Sequence, residues 1–252
     1  MKISVICVCY NSEDTIKHTI DSFLAQDHDS KELIIVDGQS TDGTLDIVRS
    51  YVSNDIKCLS GADNGIYDAM NKGLDRFTGD AFGFLNSDDC FKDASVLSKI
   101  SNMLQDSDIV AGNIVFVTDH INKRVIRTCS STIFMPGAFK NGWVQPHPAV
   151  YARRKVAEIV GKFDTTYQNA ADYDWLLRAY EIHNVGGQIV DKVFVEMKLG
   201  GASTSGLKAL WINATETLKS RQKWLGAGII DYAFFAKYVI RFRQLRQFSQ
   251  HR

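Results

Sequence analysis

The sequence predicts an α/β fold, in which a sheet of mainly parallel strands is flanked by helices. Apolar runs with the length of buried strands alternate with helix-like segments over residues 3–85, in the order βαβαβαβ. Such alternation is typical of parallel sheets, whose strands are connected by helices. Acidic residues follow the second, third and fourth apolar runs. Ligands of open α/β sheets bind outside the carboxyl ends of the strands, so these acids predict a site at that edge.

The elements of the first half follow one another closely. Residues 3–10 form the first predicted strand, and a helix ending near Gln26 follows it. Asn11 and Ser12 are typical helix caps, and Glu13 with Asp14 suits the positive end of a helix dipole. The other predicted elements of this half are strands at 32–37, 56–60 and 81–85 and helices at 43–52 and 67–77.

The second half has a less regular pattern. It predicts strands at 108–117, 122–128 and 190–199 and helices at 156–161 and 172–182. Residues 131–150 form a loop-rich segment that holds the three prolines of the chain, with His147 between the last two. Glycine and serine dominate residues 200–206, which predicts a flexible boundary before a final helical region.

Length and composition limit the class of protein. A chain of 252 residues with 45% hydrophobic content can bury a substantial core. It contains no run near the roughly 20 apolar residues of a membrane span, and no secretory pattern follows Met1 and Lys2, so we expect a cytoplasmic enzyme. The five cysteines are odd in number and lie mostly in apolar runs, which favours reduced thiols over a disulfide framework.

The neutral net charge conceals an asymmetry between the ends of the chain. From Lys219 onward there are eight lysines and arginines and one acid, Asp231, interspersed with aromatic residues. A basic and aromatic segment of this kind can bind anionic lipid headgroups. The alternative is an amphipathic helix that packs on the main domain with its cations in solvent. We expect no nucleic-acid partner.

Two adjacent carboxylates, Asp88 and Asp89, end the fourth apolar run. Ionised neighbours repel each other, and a divalent cation or a set of hydroxyl groups relieves the repulsion. The pattern therefore predicts a metal or ribose site. The alternative is a solvated turn, because Asn86, Ser87 and the two aspartates are all common turn residues.

Several motifs in this order and spacing resemble the family 2 glycosyltransferases. The motifs are the loop 37–44 after the second strand, the 86–89 motif, and two tripeptides. Cys9-Tyr10-Asn11 stands where the family has a Thr-Tyr-Asn, and Asn71-Lys72-Gly73 matches the family's Asn-x-Gly. The resemblance covers residues 1–200, and the block 63–73 is similar to a branch acting in bacterial surface polysaccharide and O-antigen biosynthesis. It implies a GT-A type, Rossmann-like mixed sheet over residues 1–205, divided into a nucleotide-sugar half (1–118) and an acceptor half (119–205). The basic, aromatic helical region would be 206–252.

The resemblance implies a role for each acidic strand end. Tyr10 would lie against the nucleobase, usually uracil in this family, and Asp37 would accept a hydrogen bond from it. Asp88 would hold the ribose, and Asp89 would ligate a Mn²⁺ or Mg²⁺ ion that bridges the diphosphate. Asp63 would lie close enough to contact the donor or acceptor.

The resemblance also implies a catalytic base in the second half. Family members carry a Glu-Asp pair before a helix, and its Asp deprotonates the acceptor hydroxyl. Asp172 occupies that place, while Ala171 replaces the Glu. Asp174 is the alternative base, and both acids could instead be residues that suit a helix start. Asn71 and His147 are further candidates for contact with donor or acceptor.

The implied reaction is one inverting displacement with a nucleotide sugar, a UDP-sugar in most of the family, as donor. Processive members carry a Gln-x-x-Arg-Trp motif and membrane spans, and neither occurs here. The basic tail suits a polyprenyl-diphosphate-linked saccharide acceptor at the cytoplasmic face of the inner membrane. Two alternatives remain open: a catalytically silent scaffold protein, favoured by Ala171, and a sugar nucleotidyltransferase, disfavoured because residues 10–14 lack a glycine-rich phosphate loop.

Overall fold

The computed structural model describes residues 1–119, 124–198 and 206–228 together with Ala233. Residues 200–205 of the predicted boundary at 200–206 lie outside the described residues, as does most of the basic tail beyond residue 228. The strands are β1 (Ile3–Cys9), β2 (Lys31–Asp37), β3 (Ile56–Ser60), β4 (Ala81–Phe84), β5 (Asp89–Phe91), β6 (Ile109–Val117), β7 (Val125–Cys129), β8 (Val150–Arg153) and β9 (Gly187–Lys198). The helices are α1 (Ile16–Leu24), α2 (Thr44–Ser50), α3 (Ile66–Leu74), α4 (Val96–Met103), α5 (Arg154–Val160), α6 (Ala171–Leu177) and α7 (Gly206–Leu225).

The strands form one mixed sheet in the order β3-β2-β1-β4-β8-β6-β9-β5, and β7 pairs with β6. Strands β1 to β4 pair in parallel, as predicted for a run of βαβ units. β8 pairs with both β4 and β6 in antiparallel orientation, while β6 and β9 are parallel. The mixed α/β sheet flanked by helices is confirmed.

The centre of the sheet is apolar on both faces. All seven residues of β1 are buried, because a parallel strand with a helix layer on each side has no solvent-facing side. Alternate residues of β1 and β2 enter two different clusters: Ile6 and Ile34 pack toward α3 and α6, and Val5 and Ile35 pack toward α1 and α4. The rigid layer between them fixes the positions of the loops that follow the strands.

Three elements were not predicted: β5, α4 and β8. β5 and β8 are only three and four residues long, which is too short for a periodic pattern to show. The predicted helix 172–182 is an α-helix to Leu177 and continues as one π-helical turn from Arg178 to Ile182. The first helix begins at Ile16, because Ser12 and the two acids after it form a turn whose groups bond the neighbouring loop.

Helix α7 packs on the main domain. Its Arg221 is fully buried, and the guanidinium donates to the Tyr173 hydroxyl at 3.1 Å. Lys223 pairs with Asp164 at 3.1 Å. These contacts fit the packed alternative for residues 206–228, and the remaining cations of the tail lie outside the described residues. No helix in the described part of the chain is long and apolar enough to cross a membrane.

Candidate active site

The loops after β1, β2 and β4 are bonded to one another at one edge of the sheet. The Asn11 amide donates to Ser40 Oγ at 2.8 Å, which connects the first loop to the second. The Ser12 and Ser87 hydroxyls lie 2.8 Å apart, which connects the first loop to the motif after β4. The expected convergence of the strand ends is therefore present in the structure.

Two residues in these loops have left-handed backbone conformations. Asn11 has φ 48° and Gln39 has φ 65°. Asparagine tolerates this region, but glutamine reaches it only when its surroundings impose it. Strain of this kind concentrates at functional sites, where the surrounding structure fixes the backbone. These two conformations favour a functional site at this edge over a set of solvated turns.

Tyr10, Gly38 and Asp63 lie close together, and we call this group of three residues the Gly38 slot. The Tyr10 side chain is 62% exposed. A Cβ atom on Gly38 would lie 2.5 Å from Asp63 Oδ2 and 3.5 Å from Tyr10 Cδ2, so the lack of a side chain there leaves room for the carboxylate. The Gly65 amide donates to Asp63 Oδ1 at 3.0 Å and holds that carboxylate in place. An exposed ring and a held carboxylate therefore lie next to each other at this edge of the sheet.

Asp37 lies behind this slot rather than on its surface. Its carboxylate is fully buried and accepts hydrogen bonds from the Ser60 hydroxyl at 2.7 Å and from the Ser40 amide at 3.1 Å. The Cys9 thiol donates to it at 3.8 Å, and burial followed by the Asp37 charge raises the pKa of that thiol. A nucleobase would have to replace one of these partners to bond Asp37 directly.

The two carboxylates after β4 have different surroundings. Asp88 is half-buried, while Asp89 is fully buried as the first residue of β5. The Asn86 amide donates to Asp89 Oδ2 at 3.1 Å. Burial, and then the neighbouring Asp88 charge, raises the pKa of Asp89 well above its usual range.

The 86–89 motif offers the oxygen ligands that a divalent cation prefers. Within the described residues, Asn86 Oδ1 and Asp89 Oδ1 are buried and have no hydrogen-bond partner. No group of three or more histidine, cysteine or acidic side chains in the described ranges could hold a metal by itself. Mg²⁺ is commonly bound by one or two carboxylates together with substrate phosphates. The residues present fit such a cation, shared with a substrate.

Asn71 joins the two halves of the chain. Its amide group donates to the Phe163 carbonyl at 3.0 Å, and its oxygen accepts from the Phe163 amide at 2.9 Å. The side chain is buried, so it satisfies a loop backbone in the manner of a strand partner. Direct contact with a donor or acceptor would require both bonds to break.

Asp172 stands in the first turn of α6, beside the start of α3. Its carboxylate is half-buried and accepts a hydrogen bond from the Tyr67 hydroxyl at 3.1 Å. Tyr67 lies within the block 63–73, but the sequence predicted no role for it. Its place at the start of the helix that follows Asp63 indicates that it belongs to the same edge of the sheet.

His147 lies beside the same carboxylate. Its ring is 8% exposed and packs on Phe84 and Phe163, with ring centroids 5.0 and 5.8 Å apart. Burial lowers the pKa of His147, and the nearby Asp172 charge opposes this effect. The imidazole is therefore neutral near pH 7. Phe84 is the last residue of β4, so this group adjoins the 86–89 motif.

The structure removes Asp174 as the alternative base. Its carboxylate is fully buried and accepts from Arg178 Nε at 2.9 Å, Ser220 Oγ at 2.8 Å and Trp224 Nε1 at 2.9 Å. Two of these partners belong to α7. A carboxylate saturated in the interior cannot reach an acceptor hydroxyl, and Asp174 instead fastens α7 to α6.

Comparison with known proteins shows the family of the chain. The model of glycosyl transferase family 2 matches residues 4–161, which is more than half of the chain. A PGL/p-HBAD biosynthesis glycosyltransferase of Mycobacterium bovis (strain BCG / Pasteur) is 28% identical over 183 residues, covering 70% of this chain and 69% of that protein.

Two solved structures have similar folds. S. aureus TarS 1–349 in complex with UDP-GlcNAc superposes with a TM-score of 0.65 at 20% identity, covering 92% of this chain and 69% of TarS. The mannosyltransferase PcManGT from Pyrobaculum calidifontis in complex with GDP-Man and Mn²⁺ gives 0.66 at 19%, covering 94% and 68%. Since identities this low support the fold alone, the structures assign a GT-A fold. With the family match, they identify the chain as a glycosyltransferase that belongs to glycosyl transferase family 2.

Proposed function

We propose that this glycosyltransferase is an inverting, metal-dependent, non-processive enzyme. It transfers one sugar from a nucleotide sugar, with UDP as the expected nucleotide, to a lipid-diphosphate-linked saccharide during surface polysaccharide assembly. The observation that carries the proposal is the arrangement of Asp172 beside the carboxyl end of β4. Its half-buried carboxylate bonds Tyr67, close after the loop that follows Asp63, and lies near His147, whose ring packs on Phe84 at the end of β4.

The Gly38 slot supports binding of the nucleobase. The exposed Tyr10 ring offers a stacking face, and the held Asp63 carboxylate offers an acceptor at the edge of the slot. Uracil and guanine both present a ring N–H to such an acceptor, whereas cytosine does not. Asp37 supports the slot from behind through Ser40 and Ser60. We therefore assign base recognition to Tyr10 and Asp63, with Asp37 as their support.

Asp89 is the carboxylate that we assign to the metal, and Asp88 is the one that we assign to the ribose. Asp89 Oδ1 and Asn86 Oδ1 are buried and have no hydrogen-bond partner within the described residues, so both oxygens are available to a cation. A Mn²⁺ or Mg²⁺ ion held here would offset negative charge on the departing diphosphate. Asp88 is half-buried and lies in the turn just before Asp89, where it would meet the ribose hydroxyl groups.

Asp172 is the proposed base. As the acceptor oxygen forms its bond to the anomeric carbon, the bond from that carbon to the diphosphate oxygen breaks and its electron pair leaves with the diphosphate. The acceptor proton passes to Asp172. Because attack is opposite the leaving group, the configuration inverts. The neutral His147 ring adjoins this position and contributes a hydrogen-bonding edge for the acceptor or the diphosphate.

The acceptor assignment rests on the C-terminal sequence and on the family resemblance. Five lysines and arginines lie between residues 237 and 252, among several aromatic residues. Such a segment attracts anionic lipid surfaces and a lipid-linked diphosphate. We infer a peripheral position at the cytoplasmic face of the inner membrane.

Binding of nucleotides to the purified protein tests the donor assignment. Calorimetry with UDP, GDP, CMP and dTDP, each with and without Mn²⁺, should detect Mn²⁺-dependent binding of UDP and no binding of CMP. Binding of GDP in place of UDP would keep the slot assignment and change the donor class. A folded protein that binds none of the four would contradict the transferase proposal.

A catalytically silent donor-binding protein is the second candidate. Ala171, where the family has a glutamate, is the feature that favours it, and the residue is fully buried. Substitution of Asp172 separates the two candidates, because a silent protein has no turnover to lose.

A further inference from the structure

Helices α3 and α6 come from different halves of the chain and meet at a polar contact. The Tyr67 hydroxyl of α3 donates to Asp172 Oδ1 of α6 at 3.1 Å. We propose that Tyr67 is a positioning residue that holds the Asp172 carboxylate in the orientation in which it accepts the proton of the acceptor. This inference rests on the proposed function, since it assumes that Asp172 is the base.

Tyr67 is a permanent hydrogen-bond donor. The side chain is 8% exposed, and burial and the Asp172 charge raise the pKa of its hydroxyl above the ordinary value. Backbone N–H groups of Ala171 and Asp172 also face the hydroxyl oxygen. The hydroxyl therefore stays protonated at physiological pH and lies at the start of α6, between its first amides and its first carboxylate.

The Tyr67 ring is itself fixed. It packs against Phe163 with ring centroids 5.9 Å apart, and Asn71 on the same helix bonds the Phe163 backbone. The helix begins directly after Gly65, whose φ of 109° only glycine adopts readily. The hydroxyl cannot follow a moving carboxylate, so the carboxylate adopts the orientation that the hydroxyl sets.

The start of α6 is held from the opposite side by α7. Glu216 accepts from the backbone amides of Gln168 and Asn169 at 2.7 and 2.8 Å. With the backbone fixed in this way, the remaining freedom of Asp172 lies in its own side-chain torsions. The Tyr67 bond removes that freedom, and a base placed correctly before the reaction lowers the entropic part of the barrier.

Within the described residues, Tyr67 from α3 and His147 from the turn at residues 147–149 face Asp172. Without the Tyr67 bond, the carboxylate is free to adopt several orientations, and only a fraction of them suits proton transfer. Loss of the hydroxyl should therefore lower kcat and leave nucleotide binding unchanged.

Tyr67→Phe tests the inference, with Tyr151→Phe as its matched control. Tyr151 is fully buried, and its hydroxyl has no hydrogen-bond partner within the described residues, so the control removes a hydroxyl without removing a bond. We expect Tyr67→Phe to lower kcat about 10- to 100-fold, the range for a hydrogen bond to a charged group. KM for the nucleotide sugar and nucleotide affinity should stay near wild type.

Incorporation of 3-fluorotyrosine at position 67 provides a second variant that keeps the ring and the hydroxyl. The more acidic hydroxyl donates more strongly and holds the carboxylate more firmly, so kcat should change while KM for the nucleotide sugar does not. If Tyr67→Phe unfolds, this change in kcat alone remains measurable. Equal behaviour of the position 67 and position 151 variants would overturn the inference and leave the proposed function standing. A wild-type protein without nucleotide binding or transfer would overturn both.

Discussion

Residues that are adjacent in the sequence have different surroundings at this site. Asp88 and Asp89 look equivalent in the sequence, yet one is half-buried and the other begins a strand in the interior. That strand, β5, forms because it pairs with β9. The sequence predicts that a cation site lies here, and the start of β5 adds that one of the two carboxylates is buried.

Substitution of the two aspartates should separate their roles. Asp89→Asn removes the carboxylate assigned to the cation, and we expect Mn²⁺-dependent nucleotide affinity to fall about 10- to 100-fold. Asp88→Asn removes the ribose contact, so nucleotide affinity should fall equally with and without Mn²⁺. Calorimetry with and without Mn²⁺ measures both effects. Loss of the Mn²⁺ effect in Asp88→Asn alone would move the cation to Asp88.

Gly38 provides a test of the nucleobase slot. In Gly38→Ala the new Cβ would lie 2.5 Å from Asp63 Oδ2, so the carboxylate must leave its bond with Gly65. Nucleotide affinity should fall by about 10-fold, the value of a charge-assisted hydrogen bond. Gly61→Ala is the matched control, because a Cβ there meets nothing within 4 Å. Equal affinities of the two variants would place the base elsewhere.

At the scale of elements, periodic patterns predicted the long helices and strands of the first half. β3 matches its predicted bounds, 56–60, and β2 begins one residue early. The sequence did not predict the two short strands that form only through tertiary pairing. β5 pairs with β9, and β8 pairs with β4 and β6. Apolar periodicity does not record such partners, because the register of a short strand is set by its neighbours.

Helix α7 shows the same limit in another form. Its sequence mixes cations with apolar residues, and its cations suggested a surface for a partner. In the structure, Arg221 of α7 is fully buried and bonds the Tyr173 hydroxyl, and Ser220 and Trp224 of the same helix bond Asp174 of α6. A charge count cannot distinguish cations in solvent from a cation that holds a helix in place.

Asp174→Asn measures the strength of this junction. It leaves the Arg178 guanidinium buried without its counter-charge, and loss of one partner of a buried ion pair costs about 3–5 kcal/mol in unfolding free energy. Asp46→Asn is the control, since its pair with Arg49 is exposed and contributes about 0.5 kcal/mol or less. Chemical denaturation compares the two. Equal stabilities would show that α7 is held by other contacts.

At the scale of the whole molecule, hydrogen bonds join the two halves of the chain. Asn71 bonds the Phe163 backbone across this junction, and Tyr67 bonds Asp172 beside it. The sequence predicted residues on both sides of the junction but not the bonds between them, because contacts 92 and 105 residues apart leave no local pattern. The fold thus brings together the residues proposed for donor binding and for proton acceptance.

The measurement that tests this account most directly is the turnover of Asp172→Asn. Nucleoside diphosphate release from a panel of nucleotide sugars should be followed with a bacterial lipid-linked saccharide extract as acceptor, and nucleotide binding should be measured on the same samples. We expect turnover to fall about 100- to 10,000-fold, the range for a positioned general base, with nucleotide affinity unchanged. Turnover equal to that of the wild type would contradict the assignment of Asp172 as the base and with it the proposed mechanism.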